Sequence, residues 1–351
     1  MELSLRTVRE VMGLDPDIRL GLVLERAARR DHRLAATVCS LAAAEGHRMG
    51  TLGTALLDVE RARRDEHERL VALVRREGPA DVLKGTALQA YYPPGVLRTS
   101  RDVDLLVPDE DDLWAAVAAV ARERPVDEAR VSMLESDGHR HWAVALNWPS
   151  PESDLDPVYA AEFLSAPFVG NSTTVPLRPR WPANPLVAHL LLIAEELFQQ
   201  PLRGRDVVDV AVLADAMSER DVADLHRDAA HWMLAPEVVE ALTRVNAVPG
   251  LATATSRTLA RELGAAAGRE RERRSAAAGA GGAGAGTAAV VHYGFPLGPA
   301  LSSPTVVVEQ DADMTVVRCP VGGYLMVDTL SVPLELARAA VDRHPGAVLP
   351  G

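Results

Sequence analysis

Two carboxylates on one face of an otherwise apolar strand constrain this chain more than any other feature. Residues 102–107 read Asp-Val-Asp-Leu-Leu-Val, a run of strand formers broken only by acid. Side chains two apart on a strand leave the same face, so Asp102 and Asp104 stand together. Neighbouring carboxylates repel, and they are costly to bury unless a cation sits between them. Hard oxygen ligands at this spacing suit Mg²⁺ or Mn²⁺ carrying substrate phosphates. Most isolated Asp-x-Asp pairs are turns or solvated faces. The apolar surroundings of this pair, and the turn that precedes it, argue for function.

That turn contains the single lysine of the 351-residue chain; the other 36 of its 37 basic residues are arginine. Ala80-Asp81-Val82-Leu83 reads as the end of a short strand, Lys84 follows, and Gly85-Thr86 opens a helical stretch to Tyr91. A strand, a glycine and a hydroxyl residue at a helix start form an anion site, because free N–H groups and the helix dipole face the ligand. Lysine is a compact point charge that arginine does not replace. Either Lys84 serves that site or it is an accident of an arginine-rich composition. Pro93-Pro94-Gly95 ends the helical stretch in a turn.

Leu83-Lys84-Gly85-Thr86-Ala87-Leu88, then Tyr92, Arg98 and Asp102-Val103-Asp104-Leu105-Leu106-Val107, resembles the uncharacterised bacterial nucleotidyltransferase family of the polymerase-beta-like superfamily. The resemblance spans about residues 75–217, and its specific part is the first thirty or so. It implies that Gly85 and Thr86 hold a triphosphate, that Asp102 and Asp104 hold the metal, and that Lys84 or Arg98 neutralises phosphate charge. His141-Trp142 to Asn147-Trp148 resembles the family's third strand. Asn184 to Ala216, with Arg205-Asp206-Val207-Val208-Asp209-Val210, resembles its helical half. Toxins of abortive-infection and type IV toxin–antitoxin systems share the superfamily and a similar pattern. The chain departs from the superfamily in two ways. The gap between Thr86 and Asp102 is long, and residues 142–148 carry no acid where a base for the attacking hydroxyl is expected. Glu135, Asp137, Asp154 and Asp156 are candidates for that third acid. General-base help is worth about 10²–10⁴-fold, so its absence would leave a slow enzyme or a nucleotide-binding relic.

Length and patterning predict an α/β protein with helical segments and a β-rich module on a Gly/Ala linker, and the resemblance implies that its small mixed sheet is of nucleotidyltransferase type. The expected segments are a helical 1–76, a nucleotidyltransferase-like core at 77–150, a helical 151–275, a linker at 276–287 and a C-terminal module at 288–351. Residues 131–134 and 141–146 form a hairpin around Ser136-Asp137-Gly138. The linker is low in complexity and rich in glycine. A tethered module suits recognition of a substrate or partner. His189 is expected to be a core histidine, and Asp206 and Asp209 to be structural. Arg61, Arg63, Arg64 and Arg69 are expected on a salt-bridged solvent face.

The net charge is −12, which argues against general nucleic-acid coating. Two cysteines make neither a disulfide framework nor a zinc site. No apolar run approaches a membrane span and no signal core opens the chain, so a cytoplasmic protein is expected. The expected activity moves a nucleoside monophosphate from an NTP to a hydroxyl on a peptide, protein, tRNA or small metabolite such as an aminoglycoside. The alternatives are a nucleotide- or partner-binding scaffold, or a toxin acting on tRNA.

Overall fold

The computed structural model describes residues 1–31, 34–151, 154–156, 158–171, 173–279, 289–311 and 313–348. Within them the chain begins with helices α1 (Leu5–Val11), α2 (Leu20–Arg30), α3 (Ala35–Ala44) and the long α4 (Thr51–Glu77). Strand β1 (Asp81–Leu83), a 3₁₀ helix (Gly85–Tyr91), β2 (Asp102–Leu106) and α5 (Glu110–Glu123) follow. Then come β3 (Glu128–Ser136), β4 (His139–Pro149) and β5 (Val158–Leu164). A helical half comprises α6 (Pro185–Glu195), α7 (Gly204–Ala216), α8 (Glu219–His231), α9 (Ala235–Asn246) and α10 (Ala254–Gly279). The chain closes with β6 (Val290–Gly298), β7 (Val307–Gln310), β8 (Thr315–Cys319), β9 (Gly322–Val327) and α11 (Leu334–Arg343).

All of these strands join one mixed sheet in the order β1-β2-β5-β4-β3-β6-β9-β8-β7. Only β2 and β5 run parallel; the other neighbours are antiparallel. The alternation of β2 assigns its faces. Val103 and Leu105 are buried in a core with Leu70, Leu73 and Val74 of α4 and Leu113, Trp114 and Val117 of α5. Trp114 meets Trp142 of β4 edge-on at 5.2 Å between ring centres. Asp102 and Asp104 therefore face the other side. The α5 helix starts where Asp109 accepts hydrogen bonds from the amides of Asp111 and Asp112.

The hairpin expected around residues 136–138 forms, with Asp137 and Gly138 both at positive φ. Its arms are longer than the pattern suggested. Two strands were not anticipated, β5 and β6. The sheet is accordingly larger than the expected small one.

The C-terminal strands are not a separate module. Residues Val290–Tyr293 of β6 pair with Ser132–Glu135 of β3, and Val317, Cys319, Tyr324 and Met326 share one apolar core with Val131 and Met133. Burial of that shared apolar surface overrides what linker composition alone implied. Residues 276–279 of the anticipated linker continue α10, and 280–287 lie outside the described residues. Arg63 also departs from expectation. It turns inward from α4 to Glu60 and Asp156, with both partners buried, while Arg61, Arg64 and Arg69 form pairs along the helix. Among the described residues no helix is long and apolar enough to cross a membrane.

Candidate active site

The chain leaves β1 through a backbone shape that most side chains avoid. Lys84 has φ +47° and ψ −137°, and Gly85 has φ +50°. A non-glycine residue held there costs on the order of 1–3 kcal/mol and persists only where its surroundings fix it. Three hydrogen bonds do so. The Lys84 amide donates to Nδ1 of His189 at 3.3 Å, the Ala87 amide donates to the Lys84 carbonyl at 3.0 Å, and Nη1 of Arg98 donates to the Gly85 carbonyl at 2.9 Å. A Cβ on Gly85 would lie 3.0 Å from Oγ of Ser100. The turn therefore presses closely on the segment that carries the acids.

That segment, 98–102, passes the turn and enters β2. The Ser100 hydroxyl donates to the Asp102 carbonyl at 2.7 Å, and the Ser100 amide donates to Oε1 of Glu60 at 3.0 Å. Leu83 pairs with Asp104 across β1 and β2, and Asp104 pairs with Glu162 across β2 and β5. Paired residues of adjacent strands point to the same face. Asp102, Asp104 and Glu162 thus share one sheet face, and all three line one cleft of about 270 Å³.

Glu162 is the acid that sequence reasoning missed. It lies one strand beyond β4, where the third acid was sought. Tyr159, Ala161 and Phe163 are buried, and Glu162 has the opposite parity. That alternation was the available signal. The earlier candidates lie elsewhere. Glu135 and Asp154 are exposed, Asp137 forms the hairpin turn, and Asp156 is buried against Arg63.

The opposite wall comes from the end of α6 and the start of α7, which contribute Glu195, Glu196, Gln199, Gln200 and Arg205. The lining holds the carboxylates Asp102, Asp104, Glu162, Glu195 and Glu196 against the cations Lys84, Arg98 and Arg205. Acid is in excess. Burial first, then Asp102 and Glu162, push the Asp104 carboxyl up to about 8, against the pull of Lys84. Burial and Asp102 likewise raise Glu162. Burial opposes the charge on Lys84, but Glu196 and Asp104 outweigh it and hold the ammonium above its ordinary value. In this structure Nζ of Lys84 is bound to Glu196.

The remaining expected site residues divide by environment. The Arg98 guanidinium is buried and committed: Nε and Nη2 donate to the two carboxylate oxygens of Asp209 at 2.8 and 2.7 Å, beside the Gly85 contact. Tyr92 adds its hydroxyl to Asp209 at 2.6 Å. Arg98 is thus a positioning residue for the turn. Thr86 points away from the acids, into a groove shared with Val82, Trp181 and His189. Asp206 accepts from the Arg203 amide at 2.9 Å and caps α7. His189 is buried and held down to about 4 by burial and Arg98, so it is neutral at pH 7 and accepts from Lys84. Arg205 is the unanticipated cation. Its buried Nε has no hydrogen-bond partner among the described residues, and its shortest contact to the nearby Asp209 carboxylate is 3.8 Å.

The donor set fits a divalent ion shared with substrate. Among the described residues no three His, Cys, Asp or Glu side chains converge closely enough to enclose a metal unaided. Mg²⁺ is usually held by one or two carboxylates, with substrate phosphates and water completing the shell. Asp102 and Asp104 match that pattern.

No protein-family model matches this chain, and no curated protein matches it. Two solved structures from H. pylori are similar to it. One is described as a candidate nucleotidyltransferase, with 16% identity over 61% of this chain and 96% of that chain at a TM-score of 0.30. The other, JHP933, has 16% identity over 63% of this chain and 97% of that chain, also at 0.30. A superposition this loose carries no functional weight, and the site stands on its own geometry.

Proposed function

We propose that this cleft transfers a nucleoside monophosphate from an NTP to a hydroxyl acceptor and releases pyrophosphate. The observation that carries the reading is the cross-strand placement of Glu162 beside Asp104, in a cleft that also holds the Lys84–Gly85 turn. An acid-rich cleft repels a bare triphosphate; Asp102 and Asp104 would hold Mg²⁺ or Mn²⁺ with the substrate, and the ion would supply charge neutralisation on the phosphates. Lys84 exchanges Glu196 for a phosphate oxygen. Arg205 directs its unpartnered Nε–H to the same anion. Arg98 holds the turn so that its backbone faces the phosphates. Glu162 accepts the proton as the acceptor oxygen bonds to the α-phosphorus and the bond from that phosphorus to the bridging oxygen breaks. Its raised affinity for protons suits a base at neutral pH.

The scaffold alternative rests on the lack of a third acid beside the pair, and Glu162 in the same cleft supports the enzyme reading over it. The acceptor remains a hydroxyl of a peptide, protein, tRNA or small molecule. The test incubates the protein with each α-labelled NTP and Mg²⁺ or Mn²⁺, and scores label on the protein, on tRNA and on lysate. Metal-dependent transfer that Asp104→Asn abolishes supports the reading. Failure to transfer label from any NTP to any of these acceptors rejects it.

A further inference from the structure

The segment that carries the acids has a second side. Arg98, Ser100 and Asp102 line the cleft, whereas Thr99 and Arg101 line a cavity of about 240 Å³ behind it. Glu60, Arg63 and Asp156 supply the polar end of that cavity. Thr99 is 5% exposed, and its hydroxyl has no hydrogen-bond partner among the described residues. A buried hydroxyl without a partner is uncommon and costly. Burial, opposed by Arg63 and the Ser100 amide, pushes the Glu60 carboxyl up to about 7.

Ala28, Ala35 and Leu56 belong also to a neighbouring pocket of about 590 Å³ between α2, α3 and α4. That pocket is apolar, with Leu20, Leu24, Met49 and Leu52 on its walls. Leu52 is 65% exposed, so the pocket opens to solvent. The two pockets thus share three lining residues, and the inner one is lined by Thr99, with its unsatisfied hydroxyl, and by the Glu60 carboxyl.

We propose that the two cavities form one binding site for a small amphipathic molecule, an unbranched apolar body ending in a neutral hydroxyl. The body lies between α2 and α4. The terminal hydroxyl accepts from Thr99 and donates to Glu60. A terminal carboxylate fits less well than a hydroxyl: Arg63 and Arg101 also line that end, but Arg63 is already paired with Glu60 and Asp156. The site is separate from the nucleotide cleft, since segment 98–102 lies between them. It meets that cleft through Glu60, whose Oε1 takes the Ser100 amide, and through the Thr99 carbonyl, which accepts from Arg98 and Arg205.

The test uses 1-alkanols of four to ten carbons as probes, titrated calorimetrically into the full chain. Expected is saturable binding that tightens about 4-fold per added methylene, the equivalent of about 0.8 kcal/mol, until the pocket is full. Decanol should bind better than decanoate or the methyl ether of decanol. Thr99→Val, nearly isosteric, should weaken alkanols about 2- to 10-fold and narrow their advantage over the ether. Ala28 is exposed, so Ala28→Phe should fold and plug the junction, removing the dependence on chain length. Alkanol binding that is absent, that ignores chain length, or that survives Ala28→Phe unchanged overturns the proposal. So does an ether that binds as well as the alcohol.

Discussion

Asp104 and Glu162 face each other across the parallel pairing of β2 and β5, the one parallel contact in the sheet. Each raises the proton affinity of its surroundings, and the two have different tasks in the proposed reaction. Glu162→Gln keeps the shape and removes the base. It should lower label transfer by about 10²–10⁴-fold and leave metal-dependent nucleotide binding near the parental value. Asp102→Asn and Asp104→Asn should lose that binding. Nucleotide titrations beside single-turnover assays separate the two classes. Parental transfer rates in Glu162→Gln would remove Glu162 from the chemistry.

The raised Asp104 carboxyl makes a stability prediction. A carboxyl at about 8 in the folded chain, against about 4 unfolded, leaves the folded state holding more protons between those values. Stability from this group is full below about pH 4 and is lost as pH rises to about 8. His67 and His189, both held down to about 4, act oppositely between about pH 4 and 6.5, and Glu60 adds a fall up to about 7. The clean readout is therefore a difference. Without metal, Asp104→Asn should melt above the parent by a margin that grows with pH and levels off above about 8. Adding Mg²⁺ should close the gap. A margin independent of pH would show that Asp104 is not held protonated.

Two cations of the cleft separate by their partners. Arg98 donates two hydrogen bonds to Asp209, so Arg98→Met leaves that buried carboxylate without its cation and should destabilise the fold by about 3–5 kcal/mol. Lys84 is partly buried and its ammonium is bound to Glu196, with no buried carboxylate depending on it as Asp209 depends on Arg98, so Lys84→Met should cost the fold less and weaken nucleotide binding. Lys84→Arg should also weaken it, because a planar fork replaces a point charge. Glu196→Gln frees the ammonium and should tighten binding. Denaturant unfolding reads the first effect and nucleotide titration the others. Parental affinity in both Lys84 variants would make the lysine an accident of composition.

The local parts of the site were legible and the non-local ones were not. Asp102 and Asp104 reveal themselves because strand parity acts over two residues, and the Lys84-Gly85 turn because a positive φ favours glycine next door. The hairpin at Asp137-Gly138 is equally local. Glu162 needs the register of a parallel pairing whose strands are separated by α5, β3 and β4, and no nearby residue encodes it. Arg98 shows the reverse error. An arginine near phosphate-binding residues suggests a ligand, but Asp209 on a distant helix claims it.

The C-terminal strands supply the last test. Tethered by a glycine-rich run, they invite the expectation that residues 1–275 fold alone, without the tail from about residue 288. The structure gives four reasons against it. β6 covers the edge of β3 through the pairs Ser132–Tyr293 to Glu135–Val290. Tyr324 donates its hydroxyl to the Ala129 carbonyl at 3.2 Å. The strands approach so closely at Gly294 that a Cβ there would lie 2.5 Å from the Val131 carbonyl oxygen. Val317, Tyr324 and Met326 are buried beside Val131 and Met133, and each large side chain so buried is worth about 1.5–3 kcal/mol. A chain ending at Gly279 should therefore lose several kcal/mol and expose the unpaired edge of β3, a template for aggregation. Gly294→Val in the full chain should weaken the same junction without removing any strand. Comparing the unfolding midpoints and light scattering of the three proteins decides it. A truncated chain that is monomeric and melts with the parent would show that the strands add to the sheet without stabilising it.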